Sequence, residues 1–420
     1  MTRPGYKKTE IGEIPEEWEL TNIKSSSFLK GRIGWQGLTT KEYLFDGEYF
    51  LVTGTEFENG KIKWDKCNFV SKDRFEQDPN IILRDQDILV TKDGTIGKVA
   101  YVDSLQKPAT LNSGVFVLRP LNGSYFPHYL FYVLRSNYFT EFVNNISAGS
   151  TISHLYQHSF NDFSFPLPPF SEQRKIAEIL TTADRKIELI DTEIKAAERL
   201  KKGLMQRLLT RGIGHEKFKM IEVGEIPEEW SVIPISETGQ YINGMAFKPS
   251  DWKEHGIPIV RIENLNDTRA HFNYFQGKVD EKYILKNEDI LLSWSASLGV
   301  YLWDKGNAVL NQHIFKVIPG KSIDRYYLYW SLHRSIDNLN KVTHGSTMKH
   351  FQRGELEKSM VALPPLQEQQ KIAEILSTVD QKLELMREKR TEAENLKKGL
   401  MQILLTGQVR VKLDHLKGDA

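Results

Sequence analysis

The chain has 420 residues, 40% of them hydrophobic, which is enough for two or three packed domains and excludes a disordered tail protein. Lys and Arg total 56 against 55 Asp and Glu, a formal charge of +1, so bulk electrostatics names no partner and any nucleic-acid affinity has to be local. The single cysteine, Cys67, excludes an internal disulfide and a cysteine-based zinc site, and no run approaches the roughly 18 apolar residues of a membrane span; a reducing cytoplasm is the expected location.

In chain order, the first unit opens on Glu10 to Trp18, EIGEIPEEW, and is expected to run from residue 1 to 168. Glu48 to Val52, Gly97 to Val102 and Gly114 to Leu118 are short and rich in β-formers, separated by turn residues, and Tyr129 to Leu134 reads as an amphipathic helix. Pro168-Pro169 then precedes a helix over 169–211. Its apolar positions alternate by four and three, with Ile176, Leu180, Ile187, Ile194 and Leu204 on the seam of a coiled coil. At 1.5 Å per residue such a helix is about 60 Å long. Gly203 falls off that seam at a cost of about 1 kcal/mol relative to Ala, which predicts a close approach to the backbone there.

The pattern then starts again. Glu222 to Trp230 reads EVGEIPEEW, 212 residues after its first appearance, and opens a unit over 212–363 in which Phe315 to Ile318 reads as a strand and Tyr326 to Leu332 as a helix. Pro364 to Leu376 nearly repeats Pro168 to Leu180, 196 residues on, and starts a second helix over 364–408 with Ile372, Leu376, Leu383, Leu400 and Leu404 on its seam and Gly399 off it. A tail, 409–420, follows. Weaker matches lie between these anchors in the same order, including Gly47–Thr55 with Gly256–Asn264 and Leu111-Asn112 with Leu310-Asn311. The connectors are nearly identical and the globular parts have diverged. The fold expected is α+β: two mixed α/β domains related by internal duplication and joined by two long antiparallel coiled-coil helices with a pseudo-two-fold relation.

Recognised catalytic signatures are missing. Gly94-Thr95-Ile96-Gly97-Lys98 has neither the glycine spacing nor the Ser/Thr of a phosphate loop. Pro168-Pro169-Phe170 lacks the preceding Asn of an adenine methyltransferase motif, since Leu167 stands there. The histidines have no ligand spacing, so no catalytic residue and no metal site is assigned.

The repeated opening, the Pro-Pro-x-x-Glu-Gln-x-Lys-Ile-Ala-Glu-Ile-Leu segments and the link Gly212 to Lys219 resemble the specificity subunit of type I restriction-modification systems over essentially the whole chain. The resemblance implies two target recognition domains that each read half of a split double-stranded DNA sequence. It also implies that the conserved helices dock two methyltransferase subunits, with restriction/translocase subunits completing the assembly. S-adenosylmethionine, ATP and Mg²⁺ would sit on those partners and none in this chain. A non-catalytic coiled-coil adaptor, and a specificity subunit serving a type II-like fused nuclease-methyltransferase, are the alternatives.

Candidate DNA contacts are basic, amide or aromatic side chains beside glycines, which permit close approach. The first cluster holds Lys30, Arg32, Trp35 and Gln36, matched in the second copy by Asn243 and Lys248. The second pairs Lys92 with Trp294, and the third pairs His154 and Gln157 with Lys349 and Arg353.

Overall fold

The computed structural model describes residues 2–33, 36–147, 154–221, 224–267, 269–295, 298–342 and 359–412. It divides into two compact units, residues 1–189 with 390–420, and residues 190–389. Each long helix therefore gives one half to each unit, so the units do not follow the repeat boundaries.

In the first unit a hairpin, β1 (Tyr6–Thr9) and β2 (Gly12–Pro15), leads through β3 (Glu19–Asn22) and the one-turn α1 (Ile23–Ser26) to β4 (Ser27–Gly31). Then come β5 (Tyr49–Val52), a small hairpin of β6 (Phe57–Glu58) and β7 (Lys61–Ile62), β8 (Asn68–Val70) and α2 (Lys72–Glu76). Strands β9 (Ile88–Thr91), β10 (Val99–Tyr101), β11 (Ala109–Leu111) and β12 (Val115–Pro120) complete two sheets. One is antiparallel in the order β10-β9-β12-β4, and the other is β11-β5-β8, with β11 parallel to β5. Residues alternate across the four-stranded sheet. Ile88, Val90, Phe116 and Leu118 enter a core shared with α3 (Pro127–Val133), α4 (Asn137–Ser147) and α5 (Gln157–Asn161), whereas Leu89, Val115 and Val117 enter a second core against β5 and β11. Burial of both faces explains why these strands read as unbroken apolar runs. β13 (Ser164–Leu167) returns to pair with β3 and hands the chain to α6 (Phe170–Arg211).

The second unit repeats this plan. β14 (Phe218–Ile221) and β15 (Gly224–Pro227) form the hairpin, and β16 (Ser231–Pro234), β17 (Gly239–Asn243), β18 (Ile257–Val260), α7 (Ile262–Asn266), β19 (Asn273–Phe275) and β20 (Ile284–Leu285) follow. β21 (Ile290–Ser293), β22 (Gly299–Leu302), β23 (Ala308–Leu310) and β24 (Ile314–Pro319) give sheets β17-β24-β21-β22 and β19-β18-β23-β20, again with one parallel pair, β18 and β23. Helix α8 (Arg325–Val342) covers the first sheet, β25 (Met360–Leu363) pairs with β16, and α9 (Leu366–Leu405) follows.

The near-identical motifs build one clamp in each unit. In the first, Trp18 Nε1 donates to Glu172 at 3.1 Å, Arg410 Nε donates to both oxygens of the same carboxylate at 3.1 and 3.0 Å, and Gln173 bridges Phe126 N and Pro168 O at 2.8 Å each. In the second, Trp230 donates to Glu368 at 3.1 Å, His215 Nε2 lies 2.9 Å from it, and Gln369 bridges Asp324 N and Pro364 O at 2.8 and 2.9 Å. Tyr129 and Tyr327, both buried, donate to equivalent carbonyls, Pro166 O and Ala362 O. The repeated Glu-Gln thus joins the start of each helix to the globular part of its unit.

Within the first unit the start of α6 runs antiparallel to the end of α9: Ile176 and Leu180 share a core with Leu404 and Leu405, and Asp184 pairs with Lys397. Within the second, Leu208 and Leu209 pack with Ile372 and Leu376, and Lys201 pairs with Asp380. The predicted seams are the inward faces: Ile176, Leu180, Ile194, Ile372, Leu376, Leu383 and Leu404 are buried, and Ile187, Leu204 and Leu400 half-buried. α6 stops at Gly212 and α9 shortly before Gly407, both with positive φ, 60° and 67°. The expectation for Gly203 and Gly399 is corrected within this chain: nothing lies within 4 Å of a Cβ built on either.

Candidate nucleic-acid interface

In the first unit the C-terminal ends of β4, β5, β9 and β11 lie at one edge of the paired sheets. Gly31 permits the close passage of β4 there, since a Cβ would stand 2.9 Å from the Phe116 ring and 3.0 Å from Val115 O. The three predicted clusters meet at this edge. Lys92 lies over the Phe116 ring at 5.0 Å, Leu155 N donates to Lys92 O at 2.9 Å, His154 Nδ1 pairs with Asp93, and Gln157 Nε2 donates to Leu29 O at 3.1 Å. Burial holds the Lys92 ammonium below the usual lysine range. Lys30, half-buried, pairs with Val117 across the β4–β12 ladder.

Arg32 corrects the sequence reading. It is 1% exposed, and its guanidinium is spent inside the unit: Nε on Leu111 O at 2.7 Å, Nη1 on Gln77 Oε1 at 3.0 Å, and Nη2 on Arg74 O and Thr110 Oγ1 at 3.2 Å. A fork with every arm occupied by protein cannot also read a base edge. Desolvation, and then the neighbouring Arg74 charge, lower its proton affinity. Gln36 is half-buried with its Oε1 unpaired, and Trp35 lies outside the described residues.

In the second unit the equivalent edge carries Asn243, exposed at the end of β17, whose side chain accepts from Trp294 Nε1 at 3.4 Å. Gly244 presses on the turn after β23, where a Cβ would stand 2.1 Å from Asn311 O. The Trp294 ring is 5.4 Å from that of His313. Lys248 has an exposed side chain and a backbone N–H held by Asp251 at 2.7 Å. Lys349 and Arg353 lie outside the described residues.

Sequence reasoning missed three side chains at this second edge: Arg261, Gln312 and His313. The signal was available, because the anchors flanking them recur. Asn112 and Asn311 each accept from the next backbone N–H, at 2.8 and 2.7 Å, and Glu56 and Asn264 each accept from the residue that follows the strand, Thr53 N at 3.1 Å and Arg261 N at 3.0 Å. The turn scaffolds match while the residues they display differ.

Two further features recur on the helices. In the second unit a pocket of about 640 Å³ is lined by Lys201, Met205, Trp330, His333, Arg334 and Arg387 among others. Burial, reinforced by the Lys201 charge, takes His333 down to about 4, so it is neutral at pH 7. In the first unit a pocket of about 490 Å³ includes Arg135, Tyr138, Lys398, Gly399, Met401 and Gln402. Among the described residues no cluster of three potential metal ligands occurs, and no helix is long and apolar enough to cross a membrane.

Two copies of one α+β scaffold, each fastened by the same Trp–Glu and Gln contacts and ending in divergent polar loops, define a duplicated recognition protein. Residues 16–199 and 227–395 each match the type I restriction modification DNA specificity domain. Two chains of Methanocaldococcus jannaschii, named as the MjaX and MjaVIII specificity subunits of type I restriction enzymes, are 30% and 29% identical to this one, each over 97% of it and 97% and 96% of their own lengths. The solved S subunit of a type I restriction-modification system from M. genitalium shares the fold, with a TM-score of 0.60 at 17% identity over 96% of this chain and 99% of its own. The chain belongs to the type I restriction-modification DNA specificity family and acts in sequence-specific DNA recognition with other subunits of such a system.

Proposed function

We propose that the chain reads a split DNA target, one half per unit, through the strand-end edges, and performs no chemistry itself. Scaffolds that repeat down to individual hydrogen bonds, yet display different side chains at those edges, carry this reading. Two different readers on equivalent frames are what a two-part asymmetric target requires. The repeated helix pockets, with Met205 and Met401 at corresponding places, suit two copies of one partner, here two methyltransferase subunits. Restriction subunits complete the assembly, S-adenosylmethionine, ATP and Mg²⁺ belong to those partners, and the complex works in the cytoplasm. The near-neutral charge fits a division in which the partners supply much of the phosphate attraction.

Co-expression with the methyltransferase subunit, followed by mapping of methylated adenines, tests the reading. The expected result is a split motif with one methylated adenine in each half, on opposite strands. A continuous motif, or methylation independent of this chain, refutes it.

A further inference from the structure

We infer that Arg261 and His313 read bases in the half-target recognised by the second unit, and that guanine is the base their donors fit. The inference rests on the DNA-reading function and assigns residues to it.

Both side chains line one pocket of about 200 Å³, together with Ile262, Glu263, Asn311 and Ile314. Each turns an unpaired polar atom away from solvent there. Arg261 Nε and His313 Nδ1 are buried and have no hydrogen-bond partner among the described residues. Leaving such atoms unpaired costs about 1–3 kcal/mol each, so a folded domain that keeps two of them in one place is short of a ligand's acceptors.

The surroundings fix which acceptors. Gln312 Nε2 lies 3.1 Å from His313 Nε2, and an amide NH₂ only donates, so this ring nitrogen accepts and the neutral ring carries its proton on Nδ1. The two orphans are then both donors. The other end of the guanidinium is steadied by Glu263, which pairs with Nη2, and by the Trp252 ring, 4.7 Å away. On the major-groove edge of duplex DNA, guanine alone presents two adjacent acceptors, N7 and O6.

Placement supports the assignment. β18 and β23 run parallel, so Arg261 after one and Asn311 to His313 after the other emerge at the same edge as Asn243 and Trp294. The first unit has Thr53 where Arg261 stands and Gly114 where His313 stands, on turns closed by the same hydrogen bonds. Side chains that change while their scaffold does not are expected of readers of different half-targets.

The test is selection of binding sites by the full chain assembled with its methyltransferase subunit, from a pool of random DNA duplexes, for the unaltered protein and for Arg261→Lys, Arg261→Thr and His313→Gln. The unaltered chain should select two separated half-motifs. The variants should lose a G·C preference at one or two neighbouring positions of one half-motif, bind the original site about ten- to a hundredfold more weakly, and keep the other half-motif intact. Arg261→Lys keeps the charge beside Trp252 but loses the fork, so a changed base preference at an unchanged melting temperature separates reading from folding. If Arg261→Lys and His313→Gln melt like the parent and select the parent's motif with its affinity, the inference is overturned. A change confined to base pairs other than G·C overturns the guanine assignment. Failure of the unaltered chain to select any split motif refutes the DNA reading itself, a result distinguishable from the others. Should one variant lose its whole half-motif along with its thermal transition, the other variant at the same pocket decides.

Discussion

A guanidinium has five donors in a rigid fork, and whether they serve the fold or a ligand depends on which way a single residue turns. Arg32 and Arg261 show the two outcomes at corresponding edges. Arg32 sits just past the β4 ladder, where alternation would send it outward with Phe28 and Lys30. It turns instead across the gap between the sheets and pins Leu111 O, Thr110, Gln77 and Arg74 O. The second unit holds the equivalent carbonyl, Leu310 O, without a charge, through the backbone N–H of Met245 at 2.8 Å. Arg32→Met should therefore destabilise the first unit by roughly 2–3 kcal/mol, because buried acceptors lose charged donors. The selected DNA motif should stay as it was. Thermal denaturation and binding-site selection on the same variant check this, and an altered half-motif at unchanged stability would return Arg32 to the DNA surface.

At the scale of elements, the helices were the most legible part of the sequence, because a four-three apolar rhythm over some 40 residues fits a helical seam and no strand, and the prolines and glycines mark both ends. Strands such as β9 and β12 were legible as apolar runs, but their order was not, since pairing β12 with both β4 and β9 depends on contacts far apart in the chain. The clamps were visible only as unexplained repetition: nothing local in EIPEEW or in Pro-Pro-x-x-Glu-Gln says that Trp18 will meet Glu172. The candidate site was legible as a set of loops, but Arg32 was misread and Arg261 passed over, because Gly-flanked Arg32 and strand-end Arg261 differ in packing rather than in local sequence. Gly203 and Gly399 were correctly placed off the seam, yet no atom of the chain crowds them. That gives a prediction with two opposite signs. Gly203→Ala and Gly399→Ala should each stabilise the chain by about 0.5–1 kcal/mol, since the helix interior is open there and alanine has the better propensity. Larger replacements, Gly203→Leu and Gly399→Leu, should weaken co-purification with the methyltransferase subunit while leaving DNA selection by the chain unchanged. If the Leu variants assemble as well as the parent, the glycines do not serve docking.

For the whole molecule, the consequential fact is that both clamps fasten the equivalent Trp, Glu and Gln, completed by Arg410 in one and His215 in the other, through different connectivity. In the second unit the chain runs unbroken from the end of α6 through Gly212 and His215 into β14, with Glu368 held by His215 and Trp230. In the first unit the corresponding passage is made by two segments far apart in sequence. Residues 407–410 follow α9 and meet the start of the chain, where Tyr6 Oη donates to Gly407 O at 2.7 Å and Arg410 joins Glu17 to Glu172. A Cβ on Gly407 would stand 2.5 Å from Pro15, so the two segments are closely fitted and not merely adjacent. Noncovalent contacts thus do in one unit what a peptide link accompanies in the other, and the covalent link should be dispensable in either place. A permutant that joins residue 412 to residue 2 through a short flexible linker, and opens the chain between the exposed Glu216 and Lys217, exchanges the two arrangements. Closing a loop between ends already held together costs little entropy, growing only as the logarithm of linker length. The permutant should melt within a few degrees of the parent and select the same two half-motifs at the same spacing. Loss of one half-motif, or a chain that no longer folds, would show that continuity through residues 212–217 is itself required and that the clamp contacts alone do not hold the second unit together.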